Sequence, residues 1–111
     1  MRILFDNGTP RGLAGFLAGH TVEEARQRGW EELKNGDLIQ AAEQAGFDLI
    51  ITTDKNIRYQ QNLRDRRIAI LALSHSKWPM VRLAAASIAN AVDAAKPGSY
   101  TEVAVPFEKR S

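Results

Sequence analysis

The stretch FDLIITTD, residues 47–54, decides the fold, because a largely apolar run ends there on a carboxylate. Residues 47–53 are predicted to form a strand, and IAILALS, residues 68–74, is predicted to form the next one. Continuous apolar runs of this length are typical of parallel strands that are covered on both faces of a sheet. The stretch therefore predicts a buried parallel sheet with Asp54 at the end of one strand.

Three more strands are predicted outward from this pair. RILF, residues 2–5, is a short strand that stops at the turn cluster Asp6-Asn7-Gly8. HTVEEA, residues 20–25, predicts a strand at an edge of the sheet, and YTEVAVP, residues 100–106, alternates in polarity like a last strand.

Helices are predicted between these strands from capping residues and from the spacing of apolar side chains. They run from Thr9-Pro10 to Gly19, from Asn35 or Asp37 to Gly46, and from Pro79 to Lys96 before Pro97-Gly98. Strands that alternate with helices predict an α/β fold, a three-layer sandwich with a mostly parallel central sheet. One domain over residues 1–111 suits this length.

The composition narrows the class of protein. The chain contains 44% hydrophobic and 25% charged residues, as expected for a soluble globular protein, and it has no apolar run long enough for a membrane span. It contains no cysteine, which excludes disulfides and thiolate metal sites, and the expected location is the cytoplasm. The net charge of +2 and the pI of about 9.2 permit an anionic partner.

Three aspartates are expected at element ends on one edge of the sheet. Asp6 ends the first strand, Asp54 ends the central strand, and Asp37 opens a helix. The carboxyl ends of parallel strands share one edge, which is where ligands bind in open α/β sheets. Carboxylates gathered there repel one another unless a cation binds, and Mg²⁺ or Mn²⁺ suits such oxygen ligands. The same positions are also those of ordinary caps and turn residues, so the spacing alone leaves both interpretations open.

The motifs ILFDNGTPRGL and NGDLIQAAEQAGFDLIITTDKNI, with their spacing, resemble the PIN-like family of small prokaryotic proteins, relatives of the PIN-domain ribonucleases and VapC-type toxins. The similarity covers roughly residues 1–75. Gly19, His20 and Val22 occupy the place of the family's Gly-His-x-Val segment, and residues 52–57 occupy the place of its Thr-x-Asp-x-acid-Phe motif, in which Thr52 is the first residue.

The resemblance implies a metal-dependent nuclease that binds Mg²⁺ or Mn²⁺ and hydrolyses RNA. It also implies that Asp6, Asp37 and Asp54 are the catalytic and metal-binding residues. Asn7 stands where the family usually has Glu, and Asn56 stands where it often has Asp. An amide oxygen ligates a hard cation without contributing charge, so these two residues are weaker metal ligands. The resemblance also implies a homodimer.

Basic and polar residues near the strand ends are candidates for contacts with RNA. Lys55, Arg58 and Arg64 are candidate phosphate contacts, and Tyr59 is a candidate for stacking on a base. His75 follows the next strand and is a candidate general acid or phosphate contact. A solvated surface is the alternative interpretation of all these positions.

Three functions remain open at the level of sequence. The first is a ribonuclease, in one version the toxin of a toxin–antitoxin pair with an antitoxin protein as partner. The second is a catalytically degenerate PIN-like scaffold that binds RNA or a partner protein without cleaving, which Asn7 and Asn56 favour. The third is a phospho-acceptor domain of the receiver type. A receiver has two adjacent acids after its first strand and a lysine after its last, and this chain has neither feature.

Overall fold

The centre of the protein is a five-stranded sheet in which all neighbouring strands are parallel. The computed structural model describes residues 1–54, 63 and 66–105, apart from the side chain of Asn35. The strands pair in the order β2-β1-β3-β4-β5. They are β1 (Arg2–Phe5), β2 (Thr21–Glu24), β3 (Leu49–Thr52), β4 (Ala69–Leu73) and β5 (Tyr100–Val103). The expected parallel sheet is confirmed, and so is the edge position of β2.

Helices connect the strands, and two of them differ from the prediction. The described helices are two 3-10 helices, Arg11–Phe16 and Ala25–Arg28, followed by α1 (Asn35–Gln44), α2 (Trp78–Leu83) and α3 (Ala85–Ala94). The helix predicted from Thr9 to Gly19 is therefore a single 3-10 helix of six residues. Thr9 does not cap it, because its hydroxyl donates to the carbonyl oxygen of Ile51 at 2.9 Å.

The prediction of a single long helix from Pro79 to Lys96 is also wrong. The chain leaves helical geometry at Ala84, with φ −100° and ψ 9°, so α2 and α3 are separate helices. Ala84, at the break, and Ala85, directly after it, are both buried. The apolar spacing therefore continues through the break and conceals it in the sequence.

The central strands β1, β3 and β4 are buried on both faces, which makes the architecture three-layered. On the first face, Ile3, Phe5 and Ile51 pack against the first 3-10 helix, α2 and α3. On the second face, Leu4 and Ile50 pack against α1. The alternation of these side chains along each strand explains why the sequence of the strands is continuously apolar.

The crossover from β4 to β5 has the opposite hand to the crossover from β2 to β3. Both connections advance in the same direction across the sheet, but α1 covers the second face whereas α2 and α3 cover the first. Parallel crossovers are right-handed in about 98% of cases, so a chain that mixes the two hands is exceptional. The first 3-10 helix and the residue after it bury only Leu13 and Leu17 on the first face, and α2 and α3 cover the rest.

The residues that follow the five strands form one rim of the sheet, which we call the carboxyl edge: residues 6–9, 25–26, 53–54, 74–75 and 104–105. No helix within the described ranges is long and apolar enough to cross a membrane.

Candidate functional site

One buried hydroxyl connects the carboxyl ends of β1 and β3. Thr52 is fully buried at the end of β3, and its Oγ1 donates to Oδ2 of Asp6 at 2.8 Å. The same Oγ1 accepts the backbone N–H of Asp54 at 3.0 Å. Asp6 is held further by its own N–H, which donates to the carbonyl oxygen of Ile51 at 2.9 Å. The two carboxylates predicted at the strand ends are therefore brought to neighbouring places on the carboxyl edge.

The environment of Asp6 disfavours its ionised form. Burial raises the pKa of Asp6 above its usual range, and the negative charge of Asp54 raises it further. Hydrogen bonds from Thr52 and from the N–H of Asn7 favour the ionised form but do not offset the burial. A cation bound between Asp6 and Asp54 would attract both carboxylates and so offset the repulsion between them.

The backbone after Asp6 turns tightly and requires a glycine. Gly8 has a φ of +92°, a conformation that L side chains rarely adopt, and a Cβ there would lie 3.0 Å from Oγ1 of Thr53. Thr9 follows and is buried, with its hydroxyl on a carbonyl of β3. This turn keeps the loop after β1 close to the end of β3.

Asn7, the residue after Asp6, makes a contact that holds the loop. Its side-chain Nδ2 donates to the carbonyl oxygen of Glu31 at 3.0 Å, while the residue itself is exposed. The amide therefore links the β1 loop to the segment before α1, which a glutamate could not do by donation.

A cavity of about 280 Å³ opens at the carboxyl edge beside Asp6. Charged side chains of both signs line it: Asp6 and Glu24 are acidic, and Arg11 and Arg26 are basic. Glu24 forms an ion pair with Nε of Arg11 at 2.8 Å and accepts a hydrogen bond from Nε of Arg26 at 3.2 Å. An acidic oxygen donor and two guanidinium groups therefore share one concave surface.

Asp37 lies in the first turn of α1 and is exposed. Over residues 1–54, 63 and 66–105, no group of three or more histidine, aspartate or glutamate side chains is arranged to hold a metal ion. The geometry thus brings Asp6 and Asp54 together and does not gather Asp37 with them into such a group.

Several predicted site residues lie outside the residues that the structure describes: Asn56, Lys55, Arg58, Tyr59 and Arg64. Their predicted roles in metal and RNA binding stay predictions. His75 is described, and it lies half-buried on the carboxyl edge after β4. The hydroxyl of its neighbour Ser74 accepts the N–H of Val105 at 2.7 Å, which fastens the end of β4 to the chain after β5.

Arg11, Glu24 and Arg26 were missed by the reasoning from sequence. Arg11 directly follows the Thr9-Pro10 pair, and Glu24 is the last residue of an edge strand. The signal that would have found them is the strand order, since β2 lies beside β1 and brings its end next to Asp6.

The site combines carboxylate oxygens and guanidinium groups on one concave surface. Such a surface suits a divalent cation and a phosphate group, which are the ligands of phosphoryl-transfer chemistry.

Comparisons of the chain with known protein families, with curated proteins and with solved structures gave no match.

Proposed function

We propose that the protein is a metal-dependent ribonuclease that hydrolyses RNA phosphodiesters at the carboxyl edge. The observation that carries this proposal is the pair Asp6 and Asp54, held on neighbouring parallel strands by the shared hydroxyl of Thr52. The strand order places β1 and β3 where the connections diverge to either side, and ligands of open α/β sheets bind at such points.

The chain's own residues have defined tasks in this proposal. Asp6 and Asp54 supply the carboxylate oxygens for Mg²⁺ or Mn²⁺, and Thr52 orients Asp6 by a hydrogen bond to one of its oxygens. The raised pKa of Asp6 follows mainly from burial and in part from the charge of Asp54, which is the situation that a bound cation relieves. When bound, the metal ion activates water and stabilises negative charge on the phosphoryl group.

The fit of the donor set to these metals supports the proposal. Magnesium and manganese prefer oxygen ligands, and magnesium keeps several waters while binding only one or two carboxylates. A pair of aspartates is therefore enough for such a site. These two aspartates are also positions at which the chain matches the motif of the PIN-like family.

A cleavage assay with matched variants tests the function. Labelled single-stranded RNA is incubated with wild type, Asp54→Asn and Asp93→Asn, each in Mg²⁺, in Mn²⁺ and in excess chelator. Asp93 is an exposed carboxylate on α3 that pairs with His20, so its variant removes one charge away from the carboxyl edge. We expect cleavage by the wild type and Asp93→Asn in metal only, and a loss of at least about a hundredfold in Asp54→Asn.

Asp37→Asn separates a site of two acids from a site of three. Because Asp37 is exposed and stands apart from the pair, we expect a smaller loss than in Asp54→Asn. Cleavage that persists in chelator, or that is equal in wild type and Asp54→Asn, contradicts the proposal.

A scaffold that binds RNA without cleaving it is the second candidate, and the contact of Asn7 favours it. The Nδ2 of Asn7 donates to the carbonyl oxygen of Glu31, so this side chain helps to hold the loop, and it brings no negative charge to a metal ion. Metal-independent RNA binding without any cleavage in the assay above would support this candidate over the first.

The strand order β2-β1-β3-β4-β5 is also that of receiver-type domains. Three observations weigh against this function. Only one acid follows β1, Ala104 follows β5 where a lysine is needed, and the crossover from β4 to β5 has the opposite hand to that from β2 to β3. Consumption of acetyl phosphate with a stable phosphoryl group on Asp54 would favour it nonetheless.

A further inference from the structure

We propose that Arg11 and Arg26, held by Glu24, form a binding site for a backbone phosphate of single-stranded RNA beside Asp6. This inference rests on the proposed ribonuclease function and names the part of the site that holds the substrate. It places the RNA strand over the ends of β2 and β1, next to the carboxylates at the ends of β1 and β3.

Glu24 fixes the positions of the two arginines. It is the last residue of β2, and its side chain is only 17% exposed. Its two carboxylate oxygens are divided between the arginines, Oε2 for Arg11 and Oε1 for Arg26, and its backbone N–H donates to Oε1 of Gln27 at 2.8 Å. Glu24 is thus held through its backbone and contacts both arginines through its carboxylate.

The arginines themselves remain open to an anion from outside. Their side chains are 72% and 60% exposed, for Arg11 and Arg26 respectively. The ion pair that each one makes among the described residues uses Nε, so the outer edge of each planar guanidinium, formed by its two terminal nitrogens, can bind a second anion. This geometry suits phosphate, which guanidinium groups bind through two parallel N–H bonds.

A site that contains carboxylates needs positive charge beside it to bind RNA, and Arg11 and Arg26 supply that charge. Asp6 repels a polyanion, whereas the two arginines and Glu24 together carry one net positive charge, which balances the carboxylate of Asp6 on the cavity wall. The cavity is shared by Asp6 and both arginines, so a strand bound to the arginines passes directly beside the carboxylate. Phosphate contacts of this kind position a nucleic acid without reading its sequence.

The test measures RNA binding apart from cleavage. Fluorescence anisotropy with labelled single-stranded RNA in excess chelator is recorded over a series of salt concentrations for wild type and Arg11→Ala/Arg26→Ala. The matched control is Arg67→Ala/Lys96→Ala, which removes two exposed cations that line a cavity at the opposite edge of the sheet.

We expect the Arg11/Arg26 variant to bind about tenfold more weakly at 50 mM salt. The slope of log K against log salt should fall by about 0.7, since the variant loses one phosphate contact and each such contact with a single strand contributes about 0.7. The control should change affinity by less than about twofold. Arg11→Lys/Arg26→Lys retains the charge, and we expect it to retain the salt slope but lose affinity, because lysine lacks the planar fork.

The outcomes distinguish the inference from the function on which it rests. If the wild type binds RNA through these arginines but cleaves nothing, the inference stands and ribonuclease activity fails. If the wild type cleaves RNA while both double-alanine variants bind equally, the inference is overturned and the activity stands. Absence of RNA binding by the wild type at 50 mM salt also overturns the inference. If the alanine variant does not fold, the lysine variant decides: an unchanged affinity for RNA would then count against the guanidinium site.

Discussion

At the scale of single residues, the hydroxyl of Thr52 makes two hydrogen bonds, and replacing it with a methyl group would remove both. We expect Thr52→Val to lower the free energy of unfolding by about 1 to 3 kcal/mol, because the N–H of Asp54 and one oxygen of Asp6 lose a partner within the fold. Thr52→Ser keeps the hydroxyl and is expected to cost about 1 kcal/mol for the buried methyl group. Urea denaturation measures both. Equal losses in the two variants would mean that the hydroxyl contributes nothing.

Asp6 is expected to cost stability at neutral pH. Burial, and to a lesser degree the charge of Asp54, raise the pKa of Asp6 above its unfolded value. The folded state therefore favours the protonated form, and the contribution to stability that is present below the unfolded pKa is lost as the pH rises through the folded pKa. We expect Asp6→Asn to be more stable than the wild type at pH 7.

The gain from Asp6→Asn should shrink as the pH falls toward 4, because the wild-type carboxyl then becomes neutral as well. Urea midpoints for both proteins at several pH values measure the difference. Glu32→Gln, which neutralises an exposed carboxylate before α1, is the control and should show no such trend. A gain that is constant with pH would contradict the assignment of a raised pKa to Asp6.

At the scale of elements, the first 3-10 helix contains two glycines with opposite requirements. A Cβ at Gly12 would lie 2.8 Å from the ring of Trp78 on α2, whereas a Cβ at Gly15 meets nothing within 4 Å. We expect Gly12→Ala to lower the free energy of unfolding by about 1 to 3 kcal/mol through overpacking. Gly15→Ala should be neutral or slightly stabilising, since alanine restricts the unfolded chain. Thermal denaturation of the pair provides the check, and similar midpoints would mean that α2 does not pack tightly on this helix.

The strands could be predicted from sequence because each core strand carries a continuous apolar run. The predictions for β1 and β3 differ from the structure by at most two residues. The sequence therefore predicts that Asp6 and Asp54 lie near each other at the ends of these strands. The helices were predicted less accurately than the strands. The break at Ala84 leaves no trace, since Ala84 and the following Ala85 are both buried and continue the apolar pattern.

The Arg11–Glu24–Arg26 group could not be predicted because it depends on pairing rather than on local pattern. Glu24 lies opposite Phe5 only because β2 joins the sheet on the outer side of β1. Nothing in HTVEEA specifies that side. A second placement of β2, beyond β4 for example, would have separated these arginines from Asp6.

At the scale of the whole molecule, two cores hold the carboxyl edge together from both faces of the sheet. The first face relies on α2 and α3, which return over the sheet to contact the first 3-10 helix, and the second face relies on α1. The exceptional crossover from β4 to β5 is what supplies the first face with helices. The ends of β1 and β3 are thus supported by segments from both ends of the chain.

Because the carboxyl edge exists only in the folded chain, a cation bound there should stabilise the whole protein. At ten times its dissociation constant, Mn²⁺ should add about 1.4 kcal/mol to the free energy of unfolding, which corresponds to roughly 5 °C in Tm for a domain of this size. Thermal denaturation in MnCl₂, against NaCl of equal ionic strength, measures the increment. We expect the wild type and Asp93→Asn to show it, and Asp6→Asn and Asp54→Asn to lose most of it. Asp6→Asn would then begin above the wild type without metal and fall level with it or below it at saturating Mn²⁺. Equal increments in all four proteins would place the metal elsewhere and remove the support for Asp6 and Asp54 as its ligands.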